Sequence, residues 1–294
     1  MWSQDFIAVD WGTTNRRAWL VAANGAVEAE FSDSMGLLSV PQNGFDQAAA
    51  DIRAQLGDHP MLLAGMVGSD RGWRNAPYVS VPADTASLAA HLLWIDELTA
   101  IVPGVCQSGD RPDVMRGEEV QALGASAQGS VGPDALLCHP GTHNKWLRLQ
   151  GWKIDHFQTM MTGELFNLLR EHSIIAPQLG GHVSDGDAFR AGLREAASGA
   201  PLLASLFALR ARYVLRQAPS ADASFASGLL IGGDVQAGLR HATPGETIGI
   251  VGEEELCELY AIAIGEAGFE VAIIDADSAF LSGIQSIRKT LETA

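Results

Sequence analysis

Short apolar runs and polar turns follow one another in the same order in two separate stretches of the chain. The first is FIAVDWGTTNRRAWLVAANGAVEAEF (residues 6–31) and the second is ALLCHPGTHNKWLRLQGWKIDHF (residues 135–157). In each, a glycine-threonine turn separates two apolar runs, and a further turn leads to a third run. Asn24-Gly25, the outer turn of the first copy, is the strongest short hairpin signal. Each stretch therefore predicts strand, tight turn, strand, turn, strand.

The rest of the chain alternates between helical and strand-like patterns. Leucines spaced i, i+3 and i+4 predict a helix in TGELFNLLREHSI, with Thr162 as a candidate N-cap. Strand, glycine turn and helix are predicted twice, in FASGLLIGGDVQAGL and in ETIGIVGEEELCELYAIAIGEAG. The other predicted elements are a helix near residues 43–56, a strand at MLLAG, a helix that begins at Gly117, a helix at PLLASLFALRARYVLRQ, a strand at EVAIID and a final helix from Ala279. This alternation predicts mixed α/β lobes.

A chain of 294 residues, 47% of them apolar, is long enough for two domains with separate cores. The segment Pro103–Pro112 has the most linker-like composition and predicts a hinge. We therefore expect an N-terminal lobe at residues 1–112 and a C-terminal lobe at residues 113–278. Residues 279–294 are expected to form a helix that packs back on the N-terminal lobe.

The formal net charge of −16 restricts the classes of partner. A chain this acidic repels nucleic acid and anionic membranes at long range. It also lacks a leader pattern and any run of about 18 apolar residues, so we expect a cytoplasmic protein that binds neither. Cys106, Cys138 and Cys257 form no CxxC pair, which disfavours a disulfide framework or a thiolate zinc site.

The two glycine-threonine turns carry the clearest chemical signal. If they lie on opposite walls of a cleft, their hydroxyls and backbone N–H groups suit a polyphosphate. The common nucleotide and hydrolase motifs are absent, because no lysine follows a glycine and no G-x-S-x-G or H-E-x-x-H occurs. His139 and His143 have a zinc-like spacing, but Pro140-Gly141 between them prevents a helix.

The order of these motifs resembles that of the acetate kinase, sugar kinase, heat-shock ATPase and actin superfamily. Residues 10–15 correspond to its first phosphate motif, residues 140–144 to its second and residues 228–234 to its adenosine motif. The resemblance implies a two-lobed, ribonuclease H-like α/β fold, with a mixed sheet and flanking helices in each lobe. It also implies that ATP and Mg²⁺ bind, with the nucleotide mainly in the C-terminal lobe.

Within that superfamily the chain resembles the 2-dehydro-3-deoxygalactonokinase family. The strings that carry this resemblance are DWGTTNRRAWL, AGMVGSDRGWRNAPYV, MRGEE, PGTHNKW, TMMTGELFNLL and SGLLIGGD. Two residues depart from the family pattern, Asn75 where an acid is expected and Asn144 where serine is usual. The resemblance implies transfer of the ATP γ-phosphoryl group to the C6 hydroxyl of 2-dehydro-3-deoxy-D-galactonate, a small sugar acid, in galactonate catabolism.

Phosphoryl transfer needs a metal ligand and donors to phosphate oxygens. Asp10 ends a predicted strand just before the first turn, where its carboxylate can order Mg²⁺ through water; an Asx-turn is its alternative role. The candidate nucleotide contacts combine glycines, which permit close backbone approach, with hydroxyl and amide donors. They are Gly12, Thr13, Thr14, Gly141, Thr142, Asn144, Gly232 and Gly233. The two last glycines have close strand-to-helix packing as their alternative.

Glu118 is the predicted catalytic base. Related sugar kinases carry a carboxylate at a helix start about twenty residues before the second phosphate turn, and here Glu118 and Glu119 occupy such a place. Successive helix residues point about 100° apart, so only one of the pair can readily face the substrate. Both residues would also suit a helix N-terminus without any catalytic role.

The predicted substrate contacts lie near the first turn and in the loop after MLLAG. They are Asn15, Arg17, Gly68, Ser69, Trp73 and Thr162. Arg17 is expected to contact the anion, with Arg16 as the alternative. A buried structural role competes for Trp73, and helix capping competes for Thr162.

Other functions stay open on the sequence alone. A phosphohydrolase of the exopolyphosphatase type, which has paired glutamates at this helix start, and a kinase for another 2-keto-3-deoxy sugar acid are alternatives. A non-catalytic filament protein or sugar sensor is a third class. A homodimer is a possible assembly.

Overall fold

The computed structural model describes residue 2, residues 4–217 and residues 222–293. Its contacts divide the chain into two units. Unit 1 comprises Met1–Asp134, Leu149–Phe157 and Asp275–Ala294, and unit 2 comprises Ala135–Arg148 and Gln158–Ile274. Unit 1 is therefore built from both ends of the sequence.

Strands and helices alternate through most of the described chain. The strands are β1 (Phe6–Trp11), β2 (Arg16–Val21), β3 (Val27–Asp33), β4 (Met61–Gly65), β5 (Tyr78–Ser80), β6 (Leu93–Asp96), β7 (Thr99–Ile101), β8 (Gly104–Gln107), β9 (Asp113–Met115), β10 (Ala135–His139), β11 (Asn144–Gln150), β12 (Lys153–Met160), β13 (Thr247–Val251) and β14 (Glu270–Ile274). The helices are α1 (Phe45–Leu56), α2 (Thr85–Ala90), α3 (Glu118–Ala127), α4 (Thr162–His172), α5 (Asp187–Ala197), α6 (Leu202–Val214), α7 (Asp222–Gly238), α8 (Glu254–Glu266) and α9 (Ala276–Thr293). The predicted α/β class and both predicted meanders are confirmed.

The two large sheets share the same order over five strands, and the first has β6 as an additional edge strand. One runs β3-β2-β1-β4-β7-β6 and the other runs β12-β11-β10-β13-β14. In the first, β1 pairs antiparallel with β2 and parallel with β4. In the second, β10 pairs parallel with β13, and β13 pairs parallel with β14. A meander followed by two parallel strands is thus built twice, which is the ribonuclease H-like order.

Each large sheet is covered by helices through a separate apolar core. In unit 1, Ile7, Val9 and Trp11 of β1 pack in one cluster with Phe45 and Ile52 of α1. In unit 2, the cluster joins strands β10 and β13 to helices α5, α7 and α8, and its members include Leu136, Ile250, Phe189, Ile231 and Tyr260. These cores hold the strand ends at fixed positions, and the candidate site residues follow those ends.

Helices α3 and α9 of unit 1 touch backbone to backbone. A Cβ added at Gly124 would lie 1.8 Å from the carbonyl oxygen of Ala279, and one added at Gly283 would lie 2.0 Å from that of Val120. No side chain fits at either position, so glycine is required for this approach. Helix α9 begins at Ala276, three residues before the predicted start at Ala279.

The segment Pro103–Pro112, predicted as a hinge from its linker-like composition, contains regular structure, and the hinge itself stays a prediction. Residues 104–107 form β8, which pairs parallel with β5 and antiparallel with β9 in a three-stranded sheet. Gly104 serves strand packing, because a Cβ there would lie 2.5 Å from the carbonyl oxygen of Met115. The contacts also assign residues 113–134 to unit 1, whereas the predicted lobes divide at residue 112.

The strand and glycine turn predicted in FASGLLIGGDVQAGL are also wrong. The whole segment lies in one helix, α7. Most residues of α7 are buried, so the helix is apolar on nearly all sides and lacks the 3.6-residue periodicity by which helices are recognised. Gly228 permits close packing on α5, where an added Cβ would lie 2.0 Å from the carbonyl oxygen of Phe189.

Candidate active site

The first glycine-threonine turn presents its donors outward. The carbonyl oxygens of Gly12, Thr13 and Thr14 accept hydrogen bonds from the backbone N–H groups of residues 36–38, over 3.0 to 3.1 Å. Thr13, Thr14 and Asn15 are exposed. Because the carbonyl groups are held from behind, the hydroxyls and amides of the turn are the groups that face solvent. Such a turn suits an anion.

The carboxyl ends of β1 and β4 meet the start of α3 next to Asp10. Gly65 ends β4 with φ +95°, and a Cβ there would lie 2.8 Å from the carbonyl oxygen of Trp11 and 3.5 Å from Asp10 Oδ1. Gly117 precedes α3 with φ +113°, and its Cβ position is 3.3 Å from Gly65 Cα. The two glycines therefore bring Asp10 and Glu118 into one neighbourhood, at the strand ends where α/β sheets bind ligands.

Arg17 lies between two carboxylates. Its Nη2 donates to Asp10 Oδ2 over 2.8 Å, and its Nη1 donates to Asp277 in the first turn of α9. Burial raises the pKa of Asp10, and the Arg17 charge opposes that rise. Sequence reasoning predicted Asp10 and Arg17 but missed Asp277, which is separated from Arg17 by 260 positions. The guanidinium of Arg17 is thus already paired with acids of the protein.

The two glutamates at the start of α3 differ in their surroundings. Glu118 is partly exposed, and its Oε2 accepts a hydrogen bond from the backbone N–H of Arg116 over 3.1 Å. Glu119 is fully buried, and both of its carboxylate oxygens accept from the N–H of Gly117. Burial, together with the Glu118 charge, raises the pKa of Glu119 to about 8. At neutral pH Glu119 is therefore mostly protonated.

This raised pKa predicts a pH dependence of stability. The folded protein keeps a proton on Glu119 that the unfolded chain releases above its ordinary pKa of 4.5. The free energy of unfolding should therefore fall from about pH 5 to pH 8, by up to about 1.4 kcal/mol per pH unit. Glu119→Gln, which mimics the neutral acid, should lose this contribution. Urea unfolding should be measured at pH 5.5 and pH 8. The free energy of unfolding of the variant should rise relative to that of the wild type at the higher pH. The same pH dependence in both proteins would contradict the raised pKa of Glu119.

The loop that follows β4 contains Gly68, Ser69 and Trp73. It folds back on itself, because the N–H of Trp73 donates to the Val67 carbonyl and that of Ala76 donates to the Gly68 carbonyl, each over 2.9 Å. Ser69 and Trp73 are both buried, with 7% and 8% exposure. The loop is therefore ordered by its own backbone bonds, and three predicted substrate contacts, Gly68, Ser69 and Trp73, are buried in it.

The second turn, in unit 2, is held by helix α4. The Thr142 carbonyl accepts from the N–H of Glu164 over 2.9 Å, and a Cβ at Gly163 would lie 2.6 Å from the Gly141 carbonyl oxygen. Thr142 is exposed and Gly141 is partly exposed, so both resemble their counterparts in the first turn. Asn144 differs, because its side chain is fully buried.

Asp234 of α7 collects four side-chain donors in unit 2. Asn144 Nδ2 donates at 2.8 Å and 3.0 Å, Trp146 Nε1 at 2.7 Å and Tyr260 Oη at 2.7 Å, and the Thr162 hydroxyl donates as well. The predicted N-cap role of Thr162 is therefore wrong, since Met161 holds the cap position without a side-chain bond. Sequence reasoning missed this network, in which the hydrogen-bonded partners are up to 90 positions apart. An aspartate within an apolar helix was the available signal.

An apolar cavity of about 150 Å³ lies beside the second turn, within unit 2. It is lined by Gly141, Thr162, Gly163, Phe166, Val183, Ser227, Leu230, Ile231, Leu256, Leu259 and Tyr260. Gly232 and Gly233 lie in the middle of α7, and a Cβ at Gly232 would meet Ala196 of α5 at 2.8 Å. The strand-to-helix turn on which their predicted adenosine contact depended is absent from that segment.

Two features are absent from the described residues. Among the described residues, no helix is long and apolar enough to cross a membrane. Across that same part of the chain, no three His, Cys, Asp or Glu side chains cluster in a way that could hold a metal ion by themselves.

The strand order that is repeated in the two large sheets defines the class of the protein, the actin-like ATPase fold. The solved structure of a Porphyromonas gingivalis protein described as an N-acetylglucosamine kinase shares this fold, with a TM-score of 0.50 and 15% identity over 97% of this chain and 99% of that one. A family model identifies the family within this fold class. The chain belongs to the 2-keto-3-deoxy-galactonokinase family, whose model matches residues 10–287.

The chain is similar to named members along nearly its whole length. It is 39% identical to the 2-dehydro-3-deoxygalactonokinase of Escherichia coli K12, over 96% of this chain and 97% of that protein. A crystal structure of a Sinorhizobium meliloti protein assigned the same activity matches with a TM-score of 0.90 and 33% identity, over 97% of this chain and 99% of that one. The resemblance inferred from the motifs is confirmed, and the chain is a sugar kinase that uses ATP.

Proposed function

We propose that the protein transfers the γ-phosphoryl group of ATP to the C6 hydroxyl of 2-dehydro-3-deoxy-D-galactonate, in galactonate catabolism. Family membership over residues 10–287 is the observation that carries this proposal. The substrate named for the Escherichia coli relative supplies the acceptor. The arrangement around Asp10 and Glu118 supports the chemistry.

Glu118 has the surroundings that a base needs. It is partly exposed at the start of α3, whereas Glu119 is buried and mostly protonated at neutral pH. In the proposed reaction Glu118 orients the acceptor hydroxyl and takes its proton as the hydroxyl oxygen bonds to the γ-phosphorus. The bond from that phosphorus to the β–γ bridging oxygen breaks, and ADP leaves.

The phosphates are proposed to bind the exposed donors of the two turns. In unit 1 these are the amides and hydroxyls of Thr13 and Thr14 beside Gly12, and in unit 2 they are those of Thr142 beside Gly141. The Asn144 side chain is committed to Asp234, so its contribution is to hold the second turn in shape. The donors need little rearrangement to bind phosphate, because backbone bonds already fix both turns.

Mg²⁺ is proposed to associate with Asp10. Magnesium commonly binds through one or two carboxylates together with substrate phosphates and several waters, so a site with few protein ligands fits it. The Asp10 carboxylate lies at the end of β1, directly before the first turn. When bound, the ion would neutralise charge on the phosphates during transfer.

The adenine base is proposed to occupy the cavity beside Gly141 and Gly163. Its lining is apolar side chains of α4, α7 and α8, which suit the faces of a planar base. It adjoins the second turn through Gly141, which is consistent with a nucleotide whose phosphates contact that turn. This replaces the sequence-based assignment of the base to Gly232 and Gly233.

A coupled assay for ADP across a panel of 2-keto-3-deoxy sugar acids tests this function. ADP should form with the galactonate-derived acid, Mg²⁺ and ATP together, and ³¹P NMR should show a phosphate ester on the C6 oxygen. ATP without acceptor should give little ADP. We expect the kinase to exclude water from the phosphoryl group, because water would otherwise accept it in place of the sugar acid. Equal ADP release with and without acceptor would reject the kinase assignment.

Homodimer formation stays a prediction.

A further inference from the structure

Three buried side chains in unit 1 have polar atoms without hydrogen-bond partners. Ser69 Oγ, Trp73 Nε1, and both Nε and Nη1 of Arg116 lack a partner among the described residues. The three residues are only 7%, 8% and 8% exposed, so water does not supply the missing bonds at the surface. Buried polar groups are nearly always paired, and unpaired ones need an explanation. Here three of the four atoms are obligatory donors, which points to an acceptor-rich ligand.

The donors belong to one small region. The Gly68 Cβ position is 2.9 Å from Arg116 Nη1, so the guanidinium lies against the loop in which Ser69 is the next residue. Arg116 Nη2 donates to the Ala76 carbonyl over 2.7 Å, and the guanidinium lies 4.4 Å from the centre of the Tyr78 ring. These contacts hold the planar group in place while leaving its other two nitrogens without an acceptor.

Arg116 is also a buried cation without a carboxylate ion-pair partner in the described part of the chain. Arg16 pairs with Asp33, and Arg17 pairs with Asp10 and Asp277. Among the residues that the structure describes, Arg116 has no carboxylate ion-pair partner, and the nearby Glu119 is mostly protonated at neutral pH. A buried guanidinium without a counterion is costly, and a ligand carboxylate would relieve that cost.

We propose that Arg116, with Ser69 and Trp73, binds the carboxylate of the sugar-acid substrate. This proposal rests on the proposed function and specifies the direction in which the acceptor binds. Arg116 lies two positions before Glu118, whose carboxylate is expected at the acceptor hydroxyl. The acid end of the substrate therefore lies at the loop after β4 and its hydroxyl end at Glu118. Because the donor atoms have no exposed surface, binding of the acid requires a local rearrangement of the loop after β4.

The assignment separates sugar acids from neutral sugars by charge and geometry. The unpaired Nε–H and Nη1–H groups of Arg116 are charged donors, and each can form a charge-assisted hydrogen bond to a carboxylate oxygen. The indole N–H and the serine hydroxyl add single donors. An acceptor whose carboxylate is replaced by a carboxamide keeps the chain length and hydroxyls but loses the charge. The fall in kcat/KM on that replacement therefore measures the contribution of Arg116.

The test compares Arg116→Gln with the wild type on the sugar acid and on its carboxamide. For the acid, kcat/KM should fall by about 100-fold in the variant, mainly through KM. The carboxamide should change by less than about threefold, and KM for ATP should stay constant. Arg111→Gln, which alters an exposed arginine of the same unit, is the matched control and should leave both acceptors unchanged.

If Arg116→Gln lowers kcat/KM equally for the acid and the carboxamide, Arg116 has a structural role and the proposal is wrong. An unchanged ratio of the two kcat/KM values would overturn the proposal whatever their size. If Arg116→Gln does not fold, Trp73→Phe keeps one aromatic ring and removes the indole N–H together with its five-membered ring, and a selective loss of about fivefold on the acid is then expected. Failure of the wild type to phosphorylate any sugar acid would instead reject the proposed function.

Discussion

Glu118→Gln is expected to lower kcat by about two to four orders of magnitude, the usual scale for loss of a general base. Glutamine keeps the size and one acceptor oxygen of the side chain but cannot take the proton of the acceptor hydroxyl. ATP binding should change little, because the proposed phosphate contacts are in the two turns rather than at the start of α3. Steady-state kinetics and equilibrium binding of ATP separate the two effects.

Glu119→Gln is the matched control for this variant. It makes the same chemical change one position along the same helix, at a side chain that is already mostly neutral at pH 7. Its turnover should stay within a few-fold of the wild type. If Glu119→Gln were the inactive variant and Glu118→Gln the active one, the assignment of the base would be wrong.

Asp234→Ala is expected to lower the free energy of unfolding by about 3–5 kcal/mol. Asp234 is 5% exposed and accepts from Asn144, Trp146, Tyr260 and Thr162, so its removal leaves four donor groups without their acceptor. The network joins the second turn to α4, α7 and α8. Urea unfolding followed by tryptophan fluorescence, which includes Trp146, should report the loss.

Tyr260→Phe gives the graded comparison. It removes one donor and leaves the carboxylate with three, so a loss of about 1 kcal/mol is expected. Asp185→Ala, at an exposed position of the same unit, should change stability by less than about 0.5 kcal/mol. An Asp234→Ala variant no less stable than Tyr260→Phe would show that the network does not hold unit 2 together.

Turns, strand ends and helix starts were predictable where a few neighbouring residues determine them. Asn24-Gly25 and the glycine-threonine turns fixed both meanders, because a tight turn between apolar runs needs specific residue types. Glu118 at a helix start and the position of Asp10 at a strand end were predictable for the same reason. Their roles as base and metal ligand stay predictions.

Long-range pairing was not predictable. That Arg17 is neutralised by Asp277, that Asp234 collects its donors, and that Arg116 lacks a counterion all depend on residues far apart in the sequence. Helix α7 was mistaken for a strand because burial on most of its sides removes the amphipathic pattern. In each case the chain carries the residue type, and only the fold decides what lies beside it.

The glycine contact between α3 and α9 has a consequence for biosynthesis. Helix α9 is translated after the whole of unit 2, yet it supplies the surface on which Gly124 packs and the carboxylate that pairs with Arg17. Unit 1 therefore cannot be completed as its first 134 residues leave the ribosome, although domains generally fold in the order of synthesis. A nascent chain stopped before residue 276 would contain both meanders but an unfinished Asp10 neighbourhood. Prematurely terminated products should then be inactive rather than partly active kinases.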